Sequence, residues 1–264
     1  MIIRPYQNAD LESVRRLFDL RRLPFDGDLF RWKKKCPGQI SFVAQIEGTT
    51  IGHGCVLPMP LPFGTADEAP FGFLVDGIFH PDHAHINLIA EVFSHAADDS
   101  RKIGAQGLLA FPNARMATAM TFLGWREAAR FEWISSQGTT AAPRSPMVPP
   151  GVRSAAYEMW RWQQVPRCIW MCSDGDSLAL FADMKSIGVV LLWINRFSIL
   201  PAFAAKYSFF CLKGKNVPMP ESFRLTSSAA APILLHRSFT SPGEVPAVPS
   251  LWYAEALEAV TLGW

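Results

Sequence analysis

Between residues 76 and 85 the chain carries Asp76, His80, Asp82, His83 and His85, five side chains of the types that ligate zinc or iron. Their spacing matches no common metal motif, and they follow an apolar run where a strand-to-helix turn is expected, so no metal is assigned to them. A second concentration of chemistry is cationic. Residues 15–35 hold eight basic side chains (Arg15, Arg16, Arg21, Arg22, Arg31, Lys33, Lys34 and Lys35) against only Asp19, Asp26 and Asp28. Such a run is either a solvated helix face or a docking patch for an acidic partner, with Arg15, Arg16, Lys33 and Lys34 as its expected outward-facing members. The five cysteines, Cys36, Cys55, Cys168, Cys172 and Cys211, show no C-x-x-C spacing and read as reduced thiols. No nucleophile elbow, phosphate-binding P-loop or dinucleotide fingerprint competes with these signals.

The elements that must position these groups follow from periodicity. Residues 2–4 form a first strand. Asn8 opens a helix with Asp10 and Glu12 in its first turn and Leu11, Val14, Leu17 and Phe18 on one face. A second helical stretch, 28–35, stops at Pro37-Gly38. Strands 40–46 and 50–57 flank Glu47-Gly48, a hairpin signal, and 71–79 is the next strand. A helix over 85–101 gathers Ile86, Ile89, Val92, Phe93, Ala96 and Ala97 on one side. A short strand over 108–111 precedes Pro112-Asn113, which opens a helix ending at Leu123-Gly124-Trp125.

Residues 136–152 contain four prolines and little that can pack, which predicts an interdomain linker between domains at 1–135 and 153–264. Beyond it the plan partly repeats. Arg31-Trp32 with Pro37 is echoed by Arg161-Trp162 with Pro166, Glu47-Gly48 by Asp174-Gly175, and Leu123-Gly124-Trp125 by Leu262-Gly263-Trp264. Residues 189–193 then stand where 71–79 stood, with 198–211 as the following helix. Two diverged copies of one supersecondary plan are expected.

The run from Phe71 to Trp125, with Asp76 on its strand, Pro81 before its loop and Leu-Gly-Trp at its end, resembles the core of the GNAT (GCN5-related N-acetyltransferase) superfamily. The resemblance implies an α/β fold, a GNAT-like mixed sheet flanked by helices, with a second, smaller and partial GNAT-like domain. It also implies acyl transfer from a thioester carrier, acetyl-CoA or acyl-CoA, to the amine of a small molecule or sugar precursor. In that family the acyl-pantetheine arm lies along a splayed strand like an added strand, and the next helix offers free N–H groups to the pyrophosphate. Carried over, Asp76 is the general base, and Gly77, Ile78, Phe79, His83, Ala84, His85, Ile86, Asn87 and Asn113 line the cofactor. Asp76 can equally cap a turn beside Gly77, and Asn113 can be a plain helix N-cap.

The family's loop reads Arg/Gln-x-x-Gly-x-Gly/Ala, yet Ala84 and Asn87 stand at the arginine and glycine positions here, and Met120 stands where a proton-donating Tyr is usual. Weak binding of acetyl-CoA is therefore expected, with His83 and His85 as substitute donors. The altered loop and the basic run keep two alternatives open: an acyltransferase that takes its donor from acyl carrier protein, and a catalytically inactive GNAT-like binding protein.

The 264 residues are 49% hydrophobic and 18% charged, a globular composition with room for one large domain or two small ones. A net charge of +2 argues against a nucleic-acid partner. The start, MIIRPYQNAD, lacks an apolar signal-peptide core, and the longest apolar run, 187–194, is too short to span a membrane. A cytoplasmic location is expected.

Overall fold

The computed structural model describes residues 1–60, 70–141, 169–174, 177–184, 188–194, 200–214, 221–225 and 233–239. These fall into two compact units. The first comprises the described residues up to Arg126 together with those from Leu235 on, and the second runs from Glu127 to Leu234.

In the first unit, strands β1 (Ile2–Pro5), β2 (Ile40–Ile46), β3 (Thr49–Pro60) and β4 (Pro70–Phe79) pair antiparallel in that order. β5 (Gly107–Ala110) joins β4 in parallel, and a late strand, β12 (Ile233–Ser238), runs antiparallel to β5. The β2–β3 turn has Glu47 at φ 50° and Gly48 at φ 78°, the paired left-handed residues of a two-residue hairpin. Helices α1 (Leu11–Leu20) and α2 (Gly27–Lys33) precede β2, α3 (Ile86–Lys102) is the β4–β5 crossover, and α4 (Ala114–Phe122) follows β5. Alternation along β2 shows that helices cover both faces of the sheet. Val43 packs with Val14 and Phe30 of α1 and α2, whereas the adjacent Phe42 meets His95 of α3 edge-on.

Two irregularities in β4 shape the site. The β3–β4 register passes from His53↔Ile78 to Cys55↔Val75, so Asp76 and Gly77 together oppose the single residue Gly54. This is a β-bulge, and Asp76 takes it up in the left-handed region at φ 52°. The second is that β5 pairs with β4 only from Gly72↔Leu108 to Leu74↔Ala110. From Val75 to Phe79 the β5 side of β4 has no strand partner among the described residues.

Gly54 is required opposite the bulge, because a Cβ there would stand 2.7 Å from Cζ of the buried Phe42 ring. Gly54→Ala should lower stability by about 1–3 kcal/mol, the usual scale of core overpacking. An unchanged urea midpoint would mean that the ring yields freely.

The second unit has a comparable order of elements. β7 (Ile169–Asp174), β8 (Ser177–Met184) and β9 (Gly188–Ile194) form an antiparallel meander. α5 (Leu200–Lys206) leads to β10 (Phe210–Gly214), parallel to β9. β6 (Arg126–Ser136) lies antiparallel to β10, and β11 (Phe223–Leu225) also pairs with it. The core gathers Ile134, Phe181, Leu200, Ala204, Tyr207, Phe209 and Phe223.

Three expectations differ from this arrangement. The helix expected over 198–211 ends at Lys206. Phe209 and Cys211 are buried on alternate residues, and their period of two belongs to a strand. The start of the expected linker is ordered backbone, since Gly138 N–H donates to Ala204 O at 2.9 Å and Ser208 N–H to Thr140 O at 2.9 Å. The division between units falls at Arg126/Glu127, where β6 begins, ahead of the expected boundary after residue 135. Residues 142–152, the Arg161-Trp162-Pro166 echo, Cys168 and the Leu262-Gly263-Trp264 ending lie outside the described residues.

Cys36, Cys55, Cys172 and Cys211 are buried. Among the described residues no helix is long and apolar enough to cross a membrane, and no group of His, Cys, Asp and Glu is arranged to hold a metal.

Candidate active site

α2 is a short helix whose N-terminus is capped by Asp26, which accepts from Asp28 N–H at 3.1 Å and Leu29 N–H at 2.9 Å. Leu29, Phe30 and Trp32 bury its apolar side, and the two lysines at its C-terminal end follow them inward. Lys33 Nζ meets Asp76 Oδ1 at 2.5 Å, with the two side chains only 4% and 10% exposed. In a charged pair this deep each ion offsets part of the other's cost of leaving water, so removing either partner strands the other. Asp76 Oδ2, also buried, has no hydrogen-bond partner.

Lys34 turns into a second polar pocket. Its ammonium lies 4.6 Å from the Tyr6 ring centroid and 4.5 Å from that of Phe30, within cation–π range. It donates to Ser41 Oγ at 2.5 Å, and Ser41 in turn donates to Gln39 Oε1 at 2.7 Å. It also stands 3.1 Å from His53 Nε2. Burial pulls the Lys34 ammonium below the ordinary lysine value, with the neighbouring Lys33 charge adding to the fall and Cys55 and Asp76 opposing it.

His53, on β3, is fully buried. Burial first, and the Lys34 charge next, lower its pKa from 6.5 to about 3, against opposition from Asp76. The ring is therefore neutral near pH 7 and has one N–H. Nδ1 lies 3.0 Å from the Asp76 carbonyl oxygen, which can only accept, so Nδ1 carries the proton. Nε2 is then free to accept from Lys34. The chain of donors runs from Lys34 through His53 to the backbone of the bulge. A non-glycine residue in the left-handed region costs about 1–2 kcal/mol, and this hydrogen bond offsets part of it.

The expected cofactor loop forms where β4 ends. Pro81–His83 is a 3₁₀ turn, and His85 is the N-cap of α3. His80 Nδ1 accepts from Asp82 N–H at 3.3 Å, and His85 Nδ1 accepts from Leu88 N–H at 3.2 Å. The histidine side chains thus satisfy two amides of the strand-to-helix turn. Ala84 and Ile86 are half-buried, and Asn87 is exposed. His83 stacks edge-on with His80 at 5.2 Å. Arg21, at the end of α1, donates from Nε to Phe79 O at 2.7 Å and lies within electrostatic reach of Arg115 and Asp82.

The structure thus joins Asp76 to residues the sequence places elsewhere. Gly77, Ile78 and Phe79 continue β4 past the bulge, with Gly77 exposed and the other two buried. Asn113 caps α4 by accepting from Met116 N–H at 2.9 Å, and Met120 is a core side chain at 1% exposure.

One expectation is corrected. Arg15 and Arg16 are exposed, but Lys33 and Lys34 do not belong to an outward basic patch, because their stems cross the apolar face of α2 to reach buried acceptors. His53, Ser41, Gln39 and Tyr6 are site residues that sequence reasoning missed. A histidine inside the apolar run of β3 is the one signal that could have pointed to them.

No protein-family model matches the chain, and no curated protein matches it. Solved structures do match. A candidate acetyltransferase from Pyrococcus horikoshii superposes with a TM-score of 0.63 at 9% identity, covering 96% of this chain and 92% of its own. A GCN5-related N-acetyltransferase from Anabaena variabilis gives 0.62 at 11% identity, over 90% of this chain and 72% of that one. A tandem GNAT protein from the clavulanic acid biosynthesis pathway gives 0.59 at 12% identity, over 92% of this chain and 99% of that one. At these identities the likeness is one of fold, and the chain has the GNAT fold.

Proposed function

We propose that this chain is an acyltransferase of the GNAT type, moving an acyl group from acetyl-CoA or acyl-CoA to the amine of a small molecule or sugar precursor. The observation that carries the reading is the bulged, half-unpaired β4, in which Asp76 sits at the point where β4 runs on without β5. A pantetheine arm can add to the edge from Val75 to Ile78 as an extended strand would, through backbone hydrogen bonds, ending where the Phe79 carbonyl already accepts from Arg21.

Asp76 supplies the proton acceptor. Lys33 occupies Oδ1 and leaves Oδ2 for the incoming amine or a bridging water. The amine nitrogen then attacks the thioester carbonyl, the C–S bond breaks as the C–N bond forms, and Asp76 takes the proton the amine sheds. Met120 contributes no proton, so the leaving thiolate is protonated by water.

The self-capped turn favours a second reading. Two amides suited to a pyrophosphate already serve His80 and His85, and neither the loop arginine nor the loop glycine is present. A donor carried on acyl carrier protein, steered by the exposed Arg15 and Arg16, needs less of that turn.

The test is thiol release by the full chain with a panel of amines, using acetyl-CoA in one arm and acylated carrier protein in the other. Asp76→Asn, which keeps an acceptor for Lys33, should cut turnover by about 100-fold. The deficit should narrow at higher pH, as more of the amine is already deprotonated. Unchanged turnover would return Asp76 to a structural role, and inactivity with both donors would make the non-catalytic binding reading the leading one.

A further inference from the structure

We infer that Lys34 and His53 are positioning residues, which together hold the β4 bulge at Asp76 in its left-handed conformation and so fix the strand edge on which the donor thioester lies. The inference rests on the reading of β4 as the donor-binding strand.

Three observations carry it. The groups form a directed series, Lys34 Nζ to His53 Nε2 at 3.1 Å and His53 Nδ1 to the Asp76 carbonyl at 3.0 Å. The series ends on the backbone of the one residue in β4 that is both non-glycine and left-handed. It is also walled in: the Tyr6 and Phe30 rings flank Lys34 and lie 5.9 and 5.4 Å from His53, and the ring is fully buried. The charged or titratable groups facing His53 are Lys33 at the end of α2 and Lys34 just after it, Asp76 on β4, Asp10 before α1 and Tyr6 after β1.

The roles of the two neighbouring lysines then separate. Lys33 holds the carboxylate of Asp76, and Lys34 holds its backbone through His53. Peptide and side chain of one residue are thereby oriented independently, which is what a base beside a backbone-bound thioester requires. Replacing Lys34 by Met removes the donor to Nε2, leaves that nitrogen a buried acceptor without a partner, and so loosens the ring that holds the Asp76 carbonyl.

The experiment is nitrogen-15 and proton NMR of the full chain at neutral pH, with no ligand. Wild-type His53 should show its proton on Nδ1, in slow exchange with water. Lys34→Met and His53→Leu should each raise hydrogen exchange of the buried Ile78 amide, next to the bulge and paired with His53, by ~10-fold or more while the β5 amides of Leu108 and Leu109 stay protected. His53→Gln can both accept from Lys34 and donate to the carbonyl, so it should keep the Ile78 amide near its wild-type rate. A proton found on Nε2 of wild-type His53 would overturn the inference without any variant. So would Ile78 exchange that does not move, or exchange that rises equally across β4 and β5, which marks general loosening. Failure of acyl transfer with this pattern intact would count against the enzymatic reading and leave the positioning role standing.

Discussion

Acidification from pH 6.5 to about 3 should remove about 5 kcal/mol of folding stability through His53, the free-energy equivalent of its lowered pKa. The sign follows from which state binds the proton. Above pH 6.5 the ring is neutral whether folded or unfolded, and it contributes no slope. Between 6.5 and about 3 the unfolded chain takes a proton that the buried ring refuses, so stability falls as pH falls, by up to ~1.4 kcal/mol per pH unit. Below about 3 both states are protonated, and the loss is complete. Asp10 acts in a lower range. Its hydrogen bond to Arg4 holds its carboxyl below 3.8, so the stability it contributes is lost only as pH drops below that value. The upper part of the window therefore isolates His53. Urea unfolding at half-unit pH steps measures the profile, and His53→Gln should flatten it between pH 6.5 and 4. A wild-type curve as flat as the variant's in that range would mean that the ring protonates in place.

The Lys33–Asp76 pair should show the second large effect. Lys33→Met should cost about 3–5 kcal/mol, because it strands a buried carboxylate whose other oxygen already lacks a partner. Adding Asp76→Gly to Lys33→Met should recover most of that loss. It removes the stranded charge and relieves the left-handed φ of 52°, which glycine adopts freely. Arg15→Glu with Arg16→Glu, on the exposed side of α1, should stay within about 0.5 kcal/mol of wild type. Equal destabilisation by Lys33→Met and the arginine pair would show that Lys33 is solvated, and additive losses in the double variant would show that the pair is not coupled.

How much of this was legible beforehand depends on the range of the forces involved. The Glu47-Gly48 hairpin, the apolar stripe of α3, the Asn113 cap and the β4–α3 turn after Pro81 all rest on neighbours within a few residues. Periodicity and turn chemistry exposed them, and their order is what resembles the GNAT core. Asp76 was singled out by the resemblance to the GNAT core, since local chemistry equally allows it to cap a turn beside Gly77.

Local chemistry also misled. Lys33 and Lys34 lie in a basic run, and locally a basic run means water. Lys33 meets Asp76 across 43 positions of sequence, and His53 meets the Asp76 backbone across 23. Sequence alone determined that this chain would build strand, loop and helix in the GNAT order with an acid on the critical strand. Only the tertiary structure decided that the acid would be held from two sides. Burying the two ammoniums is favourable only once a carboxylate has met one and an imidazole and two aromatic rings the other, and that assembly depends on the register of β3 against β4, which no local pattern encodes.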